Sequence, residues 1–366
     1  MSANLEGHIQ ITMRRLANAV AAVDIHSSRP QAAQRLLVGC SPAQAAERVG
    51  MLFSVCGRAQ RVAVEMAIEA AQGTVPDIET QADRQARVVI ELALEHAWRL
   101  CLDWPKHAGL PHEMAGLLAL RAVSSDAGTL QKALRQTLAE RLLGEPPAEW
   151  LEHDVAGFEA WRPASSTTTA ALFAGVGPGK AAVEAGISQV PLLPPLQAMA
   201  STALIALAET ALSVPAFCAQ PVWQGQPIET GAIARQIQSP LVDAWVATHG
   251  RGAGARMLAR LVELAALAGA MGSLGQVVRS FRLADDIGMA GVETSRGVLF
   301  HVVRLADGKV ADYRIIAPTE WNFHPAGTLA EAIVDLSAAT DLLQRAREAA
   351  LSLDPCVEYV IDVEDM

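Results

Sequence analysis

Between Asp83 and Pro105 the chain reads DRQARVVIELALEHAWRLCLDWP, and apolar residues return every three or four positions across the whole stretch. That period predicts a long amphipathic helix ended by Pro105, whose ring clashes with a continuing helix. The same period runs through SPAQAAERVGMLFSVCG, where Ser41 is placed to cap and Pro42 to fill the first turn. It returns in RAQRVAVEMAIEAAQG, which begins just after Cys56 and stops at Gly73. Further helical runs are expected over about 112 to 143, 190 to 213 and 229 to 270. Aromatic residues make up only 4% of the chain and hydrophobic residues 51%, so Ala and Leu supply much of the apolar surface, a mix that favours closely packed helices over strands. A mainly α protein is expected, and 366 residues are enough to bury a substantial core.

The net charge of -10 comes from acids and bases mixed along the chain, without a Lys/Arg block to neutralise phosphates or an anionic membrane surface. Neither nucleic acid nor a membrane is an expected partner. The most apolar stretch, LVELAALAGAMGSLG from Leu261, carries an acid and several glycines and is shorter than the roughly 18 residues a bilayer span needs. Five scattered cysteines, Cys40, Cys56, Cys101, Cys218 and Cys356, and an opening without a signal-peptide core point to a reducing cytoplasm.

The period changes at two places. LEGHIQIT alternates and reads as an opening strand, and GVLFHVVRLADGKVADYRIIAP reads as a hairpin turning at Asp307-Gly308. After a final helix, AEAIVDLSAATDLLQRAREAALSL, Asp354-Pro355 breaks the pattern and delivers Cys356 into an extended tail. The stretch PASSTTTAALFAGVGPGKAAVEAG reads as an exposed excursion. Its GVGPGK is not a phosphate-binding loop, because Ala174 and Ala181 stand where Gly and Ser or Thr are needed.

Cys56 is the residue with most chemical promise, and the residues alone leave its role open. A packed thiol is the bland reading. At a helix N-terminus, with Arg58 and Arg61 nearby, it gains thiolate stabilisation, which suits a nucleophile or a metal ligand. Nothing among nine histidines selects a base for a nucleophile, and the paired cysteines of a structural zinc site are missing.

Four separated stretches together resemble the large subunit of nickel-iron hydrogenases, and more closely the HupK/HoxV type of hydrogenase assembly protein. LEGHIQI is similar to that family's Glu-Gly-His strand. LLVGCSPAQAAERVGMLFSVCGRAQ resembles the segment leading into Arg-x-Cys-Gly-x-Cys-x-x-x-His. VETSRGVLFHVVRLADGKVADYRIIAPTEWNFHP resembles the Ala-Pro-Arg-Gly hairpin and the loop after it, and LSLDPCVEY the terminal Asp-Pro-Cys-x-x-Cys. The resemblance implies a hydrogenase large-subunit-like helical bundle with a small β element, the N-terminal strand plus the hairpin. It is expected as one domain over 1–366: helical core about 41–285, hairpin about 292–317, C-terminal helix and Cys-bearing tail about 329–366.

The departures from the pattern carry the functional expectation. Catalytic members hold nickel and iron with four thiolates. Here Phe53 replaces the first cysteine of the N-terminal pair and Tyr359 the last of the C-terminal pair, which leaves Cys56 and Cys356. Two soft donors do not make the family's nickel site, so no nickel is expected. The family's proton-relay glutamate falls on Gln34 and its histidine on Gln60, Asp362 sits near the terminal histidine, and no processing is expected. The iron side is intact: the resemblance places Arg296, with Ser295, and Thr319, with Pro318, where family members donate hydrogen bonds to cyanide ligands of iron. Taken from residues alone, Arg296 would pair with Glu293 and Thr319 would shape a turn. Trp321 and Asn322 are expected to serve packing and turn, Cys40, Cys101 and Cys218 structure, and Glu6 and His8 backbone near the tail.

The implied role is a non-catalytic scaffold that transiently holds iron with cyanide and carbon monoxide ligands through Cys56 and Cys356 before transfer to the hydrogenase large subunit. The implied partners are a HypC-type chaperone, a HypD-type assembly protein and the large-subunit precursor. Two rivals stand beside it: a metal-free chaperone of the precursor and a degenerate hydrogenase-like redox enzyme.

Overall fold

In a computed structural model the described residues are all except 1–6, 17–18, 29–31, 54–55, 175–185 and 337–340. Strands β1 (His8–Leu16) and β2 (Ala19–Ser27) open the chain, followed by α1 (Ala32–Leu37), α2 (Pro42–Leu52), α3 (Gly57–Gln72) and α4 (Ile78–Trp98). A π turn (Arg99–Asp103) leads into α5 (Trp104–Ala108), then α6 (Met114–Ala122), α7 (Ala127–Thr137), α8 (Pro147–Trp150), α9 (Val155–Ala164) and α10 (Thr168–Ala174). Next come α11 (Ser201–Ser213), α12 (Ala232–Gln236), α13 (Pro240–His249) and α14 (Ala253–Gly269). The chain closes with β3 (Val278–Ala284), β4 (Ile287–Thr294), β5 (Gly297–Ala306), β6 (Lys309–Ile316), α15 (Pro318–Asn322), α16 (Thr328–Asp335), α17 (Leu342–Ser352) and β7 (Glu358–Asp365).

The starts of α2 and α3 obey the local chemistry of the sequence. Ser41 and Gln44 form a reciprocal capping box with Pro42 in the first turn, and Gly73 ends α3 in the left-handed region. Pro105 does not end the helical run. The π turn before it widens the ladder, Pro105 sits in the first turn of α5, and the Cys101 carbonyl accepts instead from Glu113 N–H at 2.9 Å.

Three expectations change. The run from 190 is not helical before Leu196, because Pro191, Pro194 and Pro195 break it, and α11 begins only at Ser201. The expected excursion after Pro163 holds only a short break at 165–167 before helix α10 runs from Thr168 to Ala174, with Thr169, Ala170 and Phe173 buried, while GVGPGK lies outside the described residues. The expected hairpin of 292–317 is half of a four-stranded antiparallel sheet, β3-β4-β5-β6, whose first strand starts at Val278, inside the stretch expected to be helical to about 285. β4 is buried on both faces, so it carries no alternating period to reveal it.

α3 lies across this sheet so closely that a Cβ at Gly288 would overlap the backbone of Ala67 and Ala71. α14, buried along nearly its whole length, runs through the main core with one charged stripe, Arg256, Arg260 and Glu263, at helical spacing. The second sheet is small, β2-β1-β7. The tail strand β7 pairs parallel with β1, from His8 opposite Glu358 to Arg15 opposite Asp365. His8 directs its ring to Ser28 Oγ at 2.8 Å rather than to tail backbone, and Glu6 lies outside the described residues.

Candidate metal centre

Cys56 is the residue immediately before α3 and takes a left-handed conformation, φ 56° and ψ 32°, which costs a residue bearing a Cβ about 1 kcal/mol. Its own side chain makes no capping hydrogen bond, among the described residues. The cap comes from α4: Glu91 accepts from the N–H of Arg58 and of Ala59, each at 2.9 Å.

Arg296 reaches this sulfur from the sheet. Thr294 pairs with Gly297 across β4 and β5, so Ser295 and Arg296 form the two-residue tip of the hairpin. Gly297 has φ 125°, and a Cβ there would collide with Thr230. The tip is fixed from both sides: Arg296 N–H donates to Thr294 Oγ1 at 3.2 Å, and Asn322 Nδ2 donates to the Arg296 carbonyl at 3.2 Å. The guanidinium, 4% exposed, then donates from Nη1 to Cys56 Sγ at 3.0 Å and from Nη2 to Glu95 at 2.9 Å, while Nε lies 3.3 Å from Asp354.

Asp354, fully buried and left-handed at φ 58°, gathers three guanidiniums: Arg99 at 2.5 Å, Arg296 at 3.3 Å and Arg260 at 3.5 Å. Arg99 also donates to the Pro355 carbonyl at 3.1 Å, which fixes the chain just before Cys356. Burial acts to raise the Asp354 carboxyl, but Arg296, Arg99 and Arg260 hold it well below the usual carboxylate range. Burial acts to lower Arg296, and Asp354, Cys56 and Glu95 hold it well above its ordinary value instead. Cys356 Sγ, two residues beyond Asp354, lies 3.6 Å from Thr319 Oγ1 on α15.

Four predicted residues therefore meet. Cys356 acts electrostatically on Cys56, both act on Arg296, and Thr319 stands at the second sulfur. Ser295, beside Arg296, is 1% exposed, and its hydroxyl finds no hydrogen-bond partner among the described residues. Pro318 is buried in the first turn of α15 and sets the turn that carries Thr319. Arg296 does not pair with Glu293, which instead meets Arg235 at 2.8 Å.

The expected thiolate stabilisation at Cys56 is reversed. Burial pushes its thiol up to about 12, Glu91, Glu95 and Cys356 add to the rise, and Arg296 opposes it. The two arginines named from sequence point elsewhere, Arg58 to the Ser124 carbonyl and Arg61 to Glu65.

The two positions that lost cysteines are taken up by packing. Phe53 lies against the main core. Tyr359 packs against the core beside β1, with its hydroxyl donating to the Arg347 carbonyl. Gln60 accepts from His301 Nε2 at 2.8 Å, and the other nitrogen of His301 meets Tyr313 OH at 2.6 Å. Burial lowers that histidine to about 3, so the ring is neutral. Gln34 falls in α1, with its side chain outside the described residues. Cys40, Cys101 and Cys218 are buried. Trp321 packs in the core, while Asn322 is more than a turn residue because it clamps Arg296. Among the described residues no three His, Cys, Asp or Glu side chains converge as a metal set.

The residues missed from sequence are Asp354, Glu95, Arg99 and Arg260 around the sulfurs. One signal was present: arginines at 256 and 260 on an otherwise apolar helix require buried partners. Arg260 meets the Ser352 carbonyl at 2.9 Å, and Arg256 meets Glu229 at 2.6 Å.

Against known proteins, a family described as nickel-dependent hydrogenase matches residues 213–357. The hydrogenase expression/formation protein HoxV of Cupriavidus necator is 32% identical, with 92% of each chain covered. The chain belongs to the HoxV/HupK family of hydrogenase expression/formation proteins. A second member, HupK of Rhizobium leguminosarum, is 30% identical over 98% of this chain and 96% of its own. The HoxV/HupK chain also has the hydrogenase large-subunit fold. The reduced Ni-Fe-Se hydrogenase from D. vulgaris Hildenborough superposes with a TM-score of 0.57 at 15% identity, covering 93% of this chain and 94% of that one. The enzyme from Desulfomicrobium baculatum gives 0.58 at 15%, covering 94% and 95%. Among the described residues no helix is long and apolar enough to cross a membrane.

Proposed function

We propose that this HoxV/HupK-family chain serves hydrogenase formation as a non-catalytic scaffold. Its cargo is an iron carrying cyanide and carbon monoxide, held by Cys56 and Cys356 on the way to the hydrogenase large subunit. The observation that carries the reading is the convergence on one spot of two thiols, the Arg296 guanidinium at 3.0 Å from Cys56 Sγ, and the Thr319 hydroxyl at 3.6 Å from Cys356 Sγ. Cyanide nitrogens are anionic acceptors, which a fixed guanidinium and the spare Ser295 hydroxyl suit. An iron that brings its own diatomic ligands needs only two protein sulfurs. Nickel held in the family's way needs four, and Phe53 and Tyr359 offer neither sulfur nor space.

The thiols are the gate for loading. Each gives up its proton as it binds iron, and Arg296, anchored by Asp354 and Glu95, supplies the charge that accepts the resulting anion. The partners of this reading are a HypC-type chaperone, a HypD-type assembly protein and the large-subunit precursor, all in the cytoplasm.

Infrared spectroscopy of protein purified anaerobically from cells with the assembly machinery tests it. Cyanide and carbonyl stretches are expected, and they are lost in Cys56→Ser and in Cys356→Ser. A spectrum without these bands overturns the scaffold. Partner binding that survives in the double variant without iron selects the metal-free chaperone, and hydrogen uptake by nickel-supplemented protein selects the enzyme.

A further inference from the structure

The N-terminus of α3 presents the N–H groups of its first turn and the positive end of a 16-residue helix next to Cys56. A thiolate there would ordinarily collect that stabilisation. In this protein Glu91 takes it, with one carboxylate oxygen on the N–H of Arg58 and the other on that of Ala59. Glu91 is half-buried, and its charge is met by two backbone N–H groups, with the Arg58 side chain acting on it electrostatically but forming no ion pair with it among the described residues. The next acid on the same face of α4, Glu95, draws on Arg296, as do Asp354 and the sulfur itself. One guanidinium thus answers several anions, and a carboxylate stands at the helix end where a ligand-bearing sulfur would otherwise gain most.

We propose that Glu91 is a positioning residue with a second effect: it fixes the backbone of Cys56 and, by its charge, weakens the hold on an anionic cargo so that the cargo can leave. The inference rests on the scaffold reading above. An iron(II) centre with two cyanides and two thiolates carries a net charge of two minus, since carbon monoxide adds none. Every unit of nearby negative charge therefore lowers its residence time. A storage site would avoid that arrangement; a transfer site benefits from it. Burial already raises the Glu91 carboxyl, in keeping with an acid in a costly place, while the N–H groups of Ala59 and Arg58 hold it down.

The test has a sign. Loaded, full-length protein is challenged anaerobically with excess dithiothreitol as a competing dithiolate, and protein-bound cyanide bands are followed over time. Glu91→Gln, whose amide oxygen still accepts from α3, is expected to release the iron about tenfold more slowly, the size of effect one unit charge exerts at a partly buried site. Glu91→Asp, with the charge kept, is expected to release it at the wild-type rate or faster. A purely structural cap predicts the opposite, faster loss from Glu91→Gln. Equal or faster release from that variant overturns the proposal. If Glu91→Gln does not fold, Glu91→Thr provides a neutral acceptor and must show the same slowing. Wild-type protein without cyanide bands sinks the scaffold reading itself; wild-type bands with no slowing in the neutral variant sink only the role of Glu91.

Discussion

The two sulfurs are held by unlike parts of the molecule. Cys56 leads into α3, a helix buried along most of its length, laid across the four-stranded sheet and capped from α4. Cys356 sits on a short crossing between α17 and β7, an edge strand that is largely exposed. Behind it, Asp354 and the Pro355 carbonyl are gripped by arginines, while ahead of it Val357, Tyr359 and Ile361 pack one face on a small core and the rest of the strand is held to β1 by backbone pairing and exposed polar contacts, such as Gln10 to Asp362 at 2.6 Å and Arg15 to Asp365 at 2.8 Å. The site thus joins an anchor in the main core to a more exposed, yielding one.

The sharpest way to break the rigid hold behind Cys356 is Asp354→Asn. It leaves three buried guanidiniums without their shared carboxylate and is expected to cost about 3–5 kcal/mol, measurable as a lowered denaturation midpoint. On the other side, Gly288→Ala pushes β4 away from α3 and is expected to cost about 2–3 kcal/mol, with faster amide exchange in α3 and unchanged exchange in β7.

Thiol chemistry probes the first anchor. Burial keeps the Cys56 thiol protonated well above its ordinary range, so iodoacetamide is expected to label it far more slowly in the native protein than after denaturation. The raised Cys56 value adds stability that is fully present below pH 9 and lost as pH rises from 9 toward 12. The depressed Asp354 value adds stability that is present above about pH 4 and lost below it. Chemical denaturation across pH should show both flanks. The smallest effect is expected at the yielding anchor: Arg14→Ala with Arg15→Ala removes exposed pairs worth at most about 1 kcal/mol each, less at high salt.

What could be read in the sequence divides along the same line. Local chemistry was legible: the Ser41 cap, the Gly73 stop, the Asp307-Gly308 turn and the break at Asp354-Pro355 all stand as expected. β4 was not, because a strand buried on both faces has no period, and neither was the helix past Pro105, because a π turn leaves no mark in composition; β3 alternates along its length and was passed over as the end of a helical stretch. In the site, the motif residues were visible through the family resemblance, but their supports were not. Glu91, Glu95, Arg99 and Arg260 act through distances between elements, and a cysteine at a helix start looks like an activated thiol until its burial and the carboxylates beside it are seen.

The parallel pairing of β1 with β7 has a consequence for biosynthesis. The strand that precedes every helix waits unpaired on that edge until the last strand arrives, and Cys356 leaves the ribosome 300 residues after Cys56. At about 5–20 residues per second this is a delay of roughly 15–60 seconds. Throughout that interval the nascent chain owns a single sulfur of the pair, so the cluster that joins Cys56, Arg296 and Cys356 can assemble only once translation has passed the second.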